Sequence, residues 1–128
     1  ESSAASDVYK RQSLGIAPTG NIDPERRYPS MFEPIHGSAF DIMGQGLANP
    51  VGTFWSCVMM LEHLGEHRAA QRLMQAVEQV TADAALHTRD LGGKATTRQV
   101  TDAVCARLRA QTAEAEAQAE PQAEPVSA

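Results

Sequence analysis

Between Phe32 and Pro50 an imidazole, a carboxylate and a carboxamide share one segment: His36, Asp41 and Asn49, with Gly37, Ser38, Ala39 and Ile42 among them. These groups suit a nucleotide. An imidazole stacks on a base, a carboxylate accepts from both hydroxyls of a ribose, and N–H groups at a helix start meet polar ligand atoms. Gly37 lets the backbone turn or approach a ligand closely. An ordinary strand–loop–helix connection with a hydrogen-bonded loop histidine accounts for the same residues, and residue types alone favour it. Gly44 and Gly46 do not complete the dinucleotide fingerprint, because Asn49 stands where a third glycine belongs. There is no Walker-type loop.

The elements that would position these groups follow from local patterning. Met31 to Ile35 is a short apolar run, limited by Pro34 and interrupted by Glu33, and it predicts a strand. Glu33 reads as a salt-bridged strand residue or as one facing a cleft. Asn49 is a good N-cap and Pro50 fits the first helical turn, so a helix is expected over 50–64. Its apolar positions Val51, Phe54, Trp55, Val58, Met59 and Leu61 leave little of its circumference polar, and Gly65 is a natural stop. A second helix is expected over 66–86, with Ala69, Ala70, Leu73, Ala76, Val77 and Val80 on one side. After a loop at 87–94, Thr96 and Gln99 form a capping box for a third helix over 97–109. Residues 13–30 hold Gly15, Pro18, Gly20, Asn21, Pro24 and Pro29 and read as a loop.

The run His36-Gly37-Ser38-Ala39-Phe40-Asp41-Ile42, with Ala48-Asn49-Pro50 and the upstream Leu14-Gly15-Ile16-Ala17-Pro18, resembles the C-terminal part of the isocitrate/isopropylmalate dehydrogenase family, over about 13–109. Asn21 to Arg26, Phe40 and Thr53-Phe54-Trp55 are most similar to the branch that oxidises and decarboxylates tartrate or D-malate. The resemblance implies an α/β fold: part of an isopropylmalate-dehydrogenase-like cofactor domain, with short strands, a cofactor loop and about three helices. It implies NAD as cofactor, held by His36, Gly37, Ser38, Ala39, Asp41, Ile42 and Asn49, with His36 on the adenine, Asn49 at its edge and Asp41 on the ribose. It places Gly15 to Asn21 on the nicotinamide side. NADP-using relatives hold the 2′-phosphate at positions matching Asp41, Ile42, Thr88 and Gly92, and none of these four carries a phosphate-binding group.

The family's chemistry is oxidation of a 2-hydroxy acid at C2, often with loss of carbon dioxide, aided by Mg²⁺ or Mn²⁺. Its metal aspartates, substrate arginines and acid/base Lys and Tyr are expected upstream of Ser13, so no catalytic or metal residue is assigned here. The implied whole is a homodimeric enzyme taking a small hydroxy acid. An NAD-dependent dehydrogenase acting on tartrate or D-malate is the first reading, and 3-isopropylmalate dehydrogenase of leucine biosynthesis is its rival. A non-catalytic helical interaction module is the alternative from another class.

Composition sets the outer bounds. The chain has 128 residues, enough for one small domain, with 11 bases and 16 acids. Glu114, Glu116, Glu120 and Glu124 follow the last base, Arg109, so the rest is nearly neutral and lacks the basic stripe that a nucleic-acid partner needs. No apolar run reaches membrane-spanning length. Cys57 and Cys105 lack metal or redox spacing, which with the absence of a signal-peptide core suggests a cytoplasmic setting. His63 and His67 stand four apart with Gly65 between them and no third ligand near, so a metal site there is rejected. Arg26-Arg27 is read as solvated rather than as a phosphate clamp. Residues 1–12 do not resemble the family and are expected to be an unrelated or artefactual leader. The Ala/Glu/Pro-rich stretch 110–128 is expected to be disordered or a frayed helix extension.

Overall fold

A computed structural model describes residues 17–119. Two strands, β1 (Pro18–Asn21) and β2 (Met31–Pro34), pair antiparallel with Pro18 opposite Pro34 and Asn21 opposite Met31. Three α-helices follow: α1 (Val51–His63), α2 (His67–Ala82) and α3 (Thr97–Ala119). Short 3₁₀ turns at Phe40–Ile42, Ala84–Leu86 and Arg89–Leu91 join them. Mixed α/β architecture with three helices agrees with the expectation from sequence.

β1 corrects the expectation that 13–30 is loop throughout. Pro18 lacks an N–H but sits at the strand's first position, where no ladder bond is lost. The pairing continues past it, the Ile35 N–H donating to the Ala17 carbonyl at 3.0 Å. Gly20 then lets the hairpin lie close on its neighbours. A Cβ there would come within 3.0 Å of the Phe32 ring and 3.3 Å of the Met59 methyl on α1.

The turn between the strands is built around Asp23. Its carboxylate accepts from the N–H groups of Arg27 and Tyr28, both at 2.8 Å, and of Glu25 at 3.1 Å. The Tyr28 N–H does most to hold the Asp23 carboxyl below the usual carboxylate range; burial opposes it, and the N–H groups of Glu25 and Arg27 assist. Arg26, left-handed at φ 55°, reaches across to donate to the His63 carbonyl at 2.6 Å, at the C-terminal end of α1. Arg27 pairs with Glu25 at 2.7 Å. His63 faces Ser30, its Nε2 being 3.3 Å from the hydroxyl, and packs its ring on Phe32.

The core lies where α1, α2 and α3 meet: Val51, Ala76, Val77, Val80, Val100 and Val104 are buried there with Ala95, and Phe54, Leu73 and Leu108 pack around them. Small and β-branched side chains let the three helices approach closely. α1 exposes only Thr53, Met60 and Glu62, as its nearly continuous apolar pattern requires. It ends as expected: Gly65 takes φ 83°, its N–H donating to the Glu62 carbonyl and that of Glu66 to Leu61, a Schellman arrangement.

Two helix boundaries differ from expectation. α2 stops at Ala82 rather than near 86, because Asp83 turns extended and its carboxylate accepts from the Ala85 N–H, starting a separate 3₁₀ turn. α3 begins with the expected reciprocal capping box: the Gln99 N–H donates to Thr96 Oγ1 at 3.1 Å, and the Thr96 N–H to Gln99 Oε1 at 2.9 Å. It then continues past 109 to Ala119, so 110–119 takes the helical rather than the disordered alternative. Ala, Gln and Glu are strong helix formers and no Gly or Pro intervenes before Pro121. Gln111 ties this part to α2 by donating to the Arg72 carbonyl at 3.2 Å. Residues 1–12 and 120–128 lie outside the described residues. Among those described, no helix is long and apolar enough to cross a membrane.

Candidate functional site

The segment from β2 to α1 folds as a loop whose backbone is fixed by short-range bonds. Its left-handed corner falls on Ala39 (φ 42°, ψ 55°), a conformation uncommon outside glycine. Gly37 is not the left-handed residue, and a Cβ there would meet nothing within 4 Å. The turn therefore does not require glycine at 37. After Ala39 comes the 3₁₀ turn Phe40–Ile42, closed by the Ile42 N–H donating to the Ala39 carbonyl at 3.0 Å. The Gln45 amide donates to the Asp41 carbonyl at 2.9 Å. Thr97, at the start of α3, anchors the loop's far end through its N–H to the Gly46 carbonyl and its hydroxyl to the Ala48 carbonyl.

This loop, the start of α1 and the turn before α3 enclose an open cavity of about 1000 Å³. All seven residues selected from the sequence line it: His36, Gly37, Ser38, Ala39, Asp41, Ile42 and Asn49. His36 is exposed, and its Nδ1 lies 3.0 Å from the Gly37 carbonyl. A carbonyl only accepts, so Nδ1 is the donor in this contact. Asp41 is exposed at the cavity and Ile42 is half-buried beside it. A carboxylate there can accept two hydrogen bonds from a diol, and an apolar neighbour gives no cation to a phosphate.

Asn49 performs the capping role expected of it. Its Oδ1 accepts from the Val51 N–H at 3.0 Å, and Pro50 is helical (φ −82°, ψ −3°) at the first turn. Its Nδ2 donates to Asp90 Oδ2 at 3.1 Å, and the hydroxyl of Thr88 donates to the other oxygen of Asp90.

Arg89 and Asp90 line the cavity and were not selected from the sequence. They lie between Thr88 and Gly92, the two positions that the resemblance matches to phosphate-binding ones, and that span is the signal in the sequence that points to them. Thr88 itself does not line the cavity. It is buried, turned toward Asp90, while Gly92 is exposed and left-handed at φ 80°. Glu33 is exposed on β2, outside the cavity lining, and Arg26 and Arg27 are engaged elsewhere. Among the described residues no group of three His, Cys, Asp or Glu side chains could hold a metal ion.

The loop, the capped start of α1 and the turn before α3 thus bring the selected residues to one cavity. The family model for isocitrate/isopropylmalate dehydrogenase matches residues 4–104, and the chain belongs to that family. The match begins inside the stretch expected to be an unrelated leader. The chain is 72% identical over 93 residues to a probable tartrate dehydrogenase/decarboxylase of Agrobacterium vitis, covering 73% of this chain and 26% of that protein. It is 47% identical over 98 residues to the decarboxylating D-malate dehydrogenase of Escherichia coli strain K12, covering 73% of this chain and 27% of the relative. A crystal structure of a beta-decarboxylating dehydrogenase from Thermococcus kodakarensis, in its apo form, superposes with a TM-score of 0.72 at 34% identity, over 88% of this chain and 33% of that one. The chain thus spans about a quarter of the length of the curated relatives it matches.

Proposed function

We propose that the chain supplies the adenosine side of the NAD site in a dehydrogenase that oxidises and decarboxylates a 2-hydroxy dicarboxylic acid such as tartrate or D-malate. The observation that carries this reading is Asp41: an exposed carboxylate on the cavity wall, followed by an isoleucine, with neither Lys nor Tyr at this pair of positions. The names of the similar proteins support the substrate class and the oxidoreductase chemistry. NAD, when bound, accepts the hydride from C2 of the hydroxy acid. This chain's part is to hold the cofactor's adenosine: His36 against the base, Asp41 on the ribose hydroxyls, Asn49 fixing the helix start, and Gly37 to Ala39 allowing close approach. Mg²⁺ or Mn²⁺, the acid/base groups and the substrate arginines belong to parts of the enzyme outside these residues. A cytoplasmic homodimer is the assembly that goes with this reading.

Titration of the 128-residue chain with NAD and with NADP tests it. Saturable NAD binding, about tenfold or more tighter than NADP, is expected from the charge at residue 41. Binding of NADP as tight as NAD would overturn the cofactor assignment. No binding of either, together with complexes that depend on residues 110–128, would favour the interaction-module reading.

A further inference from the structure

We propose that Met43 is a modification site: oxidation of its thioether to the sulfoxide, on the cavity wall, lowers the affinity of the cavity for the cofactor. This rests on the dinucleotide reading above and adds a control on the same site. Of the five methionines, Met43 is the most exposed, at 69%, and it lines the cavity. Met31 follows at 52% but stands on β2, outside the lining. Met60 is 37% exposed on α1, and Met59 and Met74 are half-buried. The Met43 backbone is fixed, its N–H donating to the Phe40 carbonyl at 3.3 Å where the 3₁₀ turn ends. The side chain is open to solvent, so an oxidant reaches the sulfur without the fold opening.

The oxidant is a peroxide. A sulfur lone pair attacks a peroxide oxygen, the O–O bond breaks as the S–O bond forms, and water leaves when hydrogen peroxide is used. The sulfur is oxidised and the peroxide reduced by the same electron pair. An apolar, flexible side chain becomes a polar, chiral one. Only Ile42 separates Met43 from Asp41, and all three line the cavity. The sulfoxide oxygen carries partial negative charge, so it adds to the Asp41 carboxylate on a wall that is to receive an anionic dinucleotide. It also places a strong acceptor where apolar contact with the cofactor was available, and burying that acceptor unpaired opposes binding. Methionine sulfoxide reductase reverses the change, which makes it a switch rather than only damage.

Titration calorimetry with NAD, before and after hydrogen peroxide treatment, tests the proposal in the full chain, Met43→Leu and Met31→Leu, with peptide mass spectrometry placing each added oxygen. Met43 should be oxidised ahead of Met59 and Met74. The treated unsubstituted chain should bind NAD about fivefold more weakly, an effect that methionine sulfoxide reductase reverses. Met31→Leu should lose affinity to the same extent on treatment. Met43→Leu should keep whatever affinity it has before treatment, which separates Met43 from the other methionines and from the free thiols of Cys57 and Cys105. An unoxidised Met43, an unchanged affinity with Met43 oxidised, or an equal loss in Met43→Leu would overturn the proposal. So would a fall in melting temperature that accompanies the loss, since it would show general destabilisation. Any of these, with the untreated chain still binding NAD, would leave the cofactor assignment standing. Failure of the untreated chain to bind NAD would overturn both.

Discussion

Asp41→Lys combined with Ile42→Tyr, in a full-length enzyme made by placing residues 17–109 in the matching segment of the Agrobacterium vitis relative, is expected to lower kcat/KM for NAD and raise it for NADP, each by about tenfold. The size follows from one interaction. Two like charges about 4 Å apart repel by roughly 4 kcal/mol at an effective dielectric of 20. Half of that, after screening by solvent at an exposed loop, still exceeds the ~1.4 kcal/mol of a tenfold preference. Removing the carboxylate also removes the acceptor for the ribose hydroxyls, so NAD loses what NADP gains. The exchange stays partial for a structural reason. Thr88 points into the protein toward Asp90, and Gly92 holds a left-handed backbone at φ 80°, so two of the four positions that would complete a phosphate site are unavailable without rebuilding the turn. Measuring both kcat/KM ratios checks it; an unchanged preference would remove Asp41 from cofactor selection.

Gly93→Ala should be strongly damaging. A Cβ at this position would overlap the backbone carbonyl of His87 and come within 2.7 Å of the His87 Cβ. Backbone cannot swing aside as a flexible side chain does. That same carbonyl accepts from the Ala95 N–H at 3.0 Å, and the Gly93 N–H donates to Thr88 at 3.0 Å, so the whole turn before α3 would have to open. The expected cost is about 3 kcal/mol, at the upper end for overpacking. Urea denaturation of the full chain reads it, with Gly37→Ala as comparison, where the added methyl meets nothing and stability should stay within about 0.5 kcal/mol. Equal midpoints for the two variants would contradict the close approach at Gly93.

The features legible in the sequence share one property: each depends on residues a few positions apart. Asn49 capping α1, Gly65 closing it, and Thr96 with Gln99 opening α3 all follow from local bonding rules, and all three are present. Seven of the residues that line the cavity were legible only through the family resemblance, because their types alone fit an ordinary strand–loop–helix connection as well. What was not legible depends on distant partners. Pro18–Asn21 has the composition of a loop and becomes a strand only because Met31–Pro34 lies beside it. The bond from Asn49 to Asp90 joins residues forty-one positions apart. The left-handed corner at Ala39 gave no signal, because glycine marks such corners and here the glycine stands two residues earlier. α3 outran its expected end because helix propensity, summed over an Ala- and Glu-rich run, outweighs the lack of an apolar face.

The claim beneath all of this is that a single carboxylate meets the sugar of an unphosphorylated adenine nucleotide. A crystal structure of an NAD-bound enzyme carrying this segment measures it directly. The account predicts the Asp41 oxygens at about 2.5–3.0 Å from the 2′- and 3′-hydroxyls of the adenosine ribose. A side chain turned to bulk water, with the ribose hydroxyls bonded elsewhere, would contradict it.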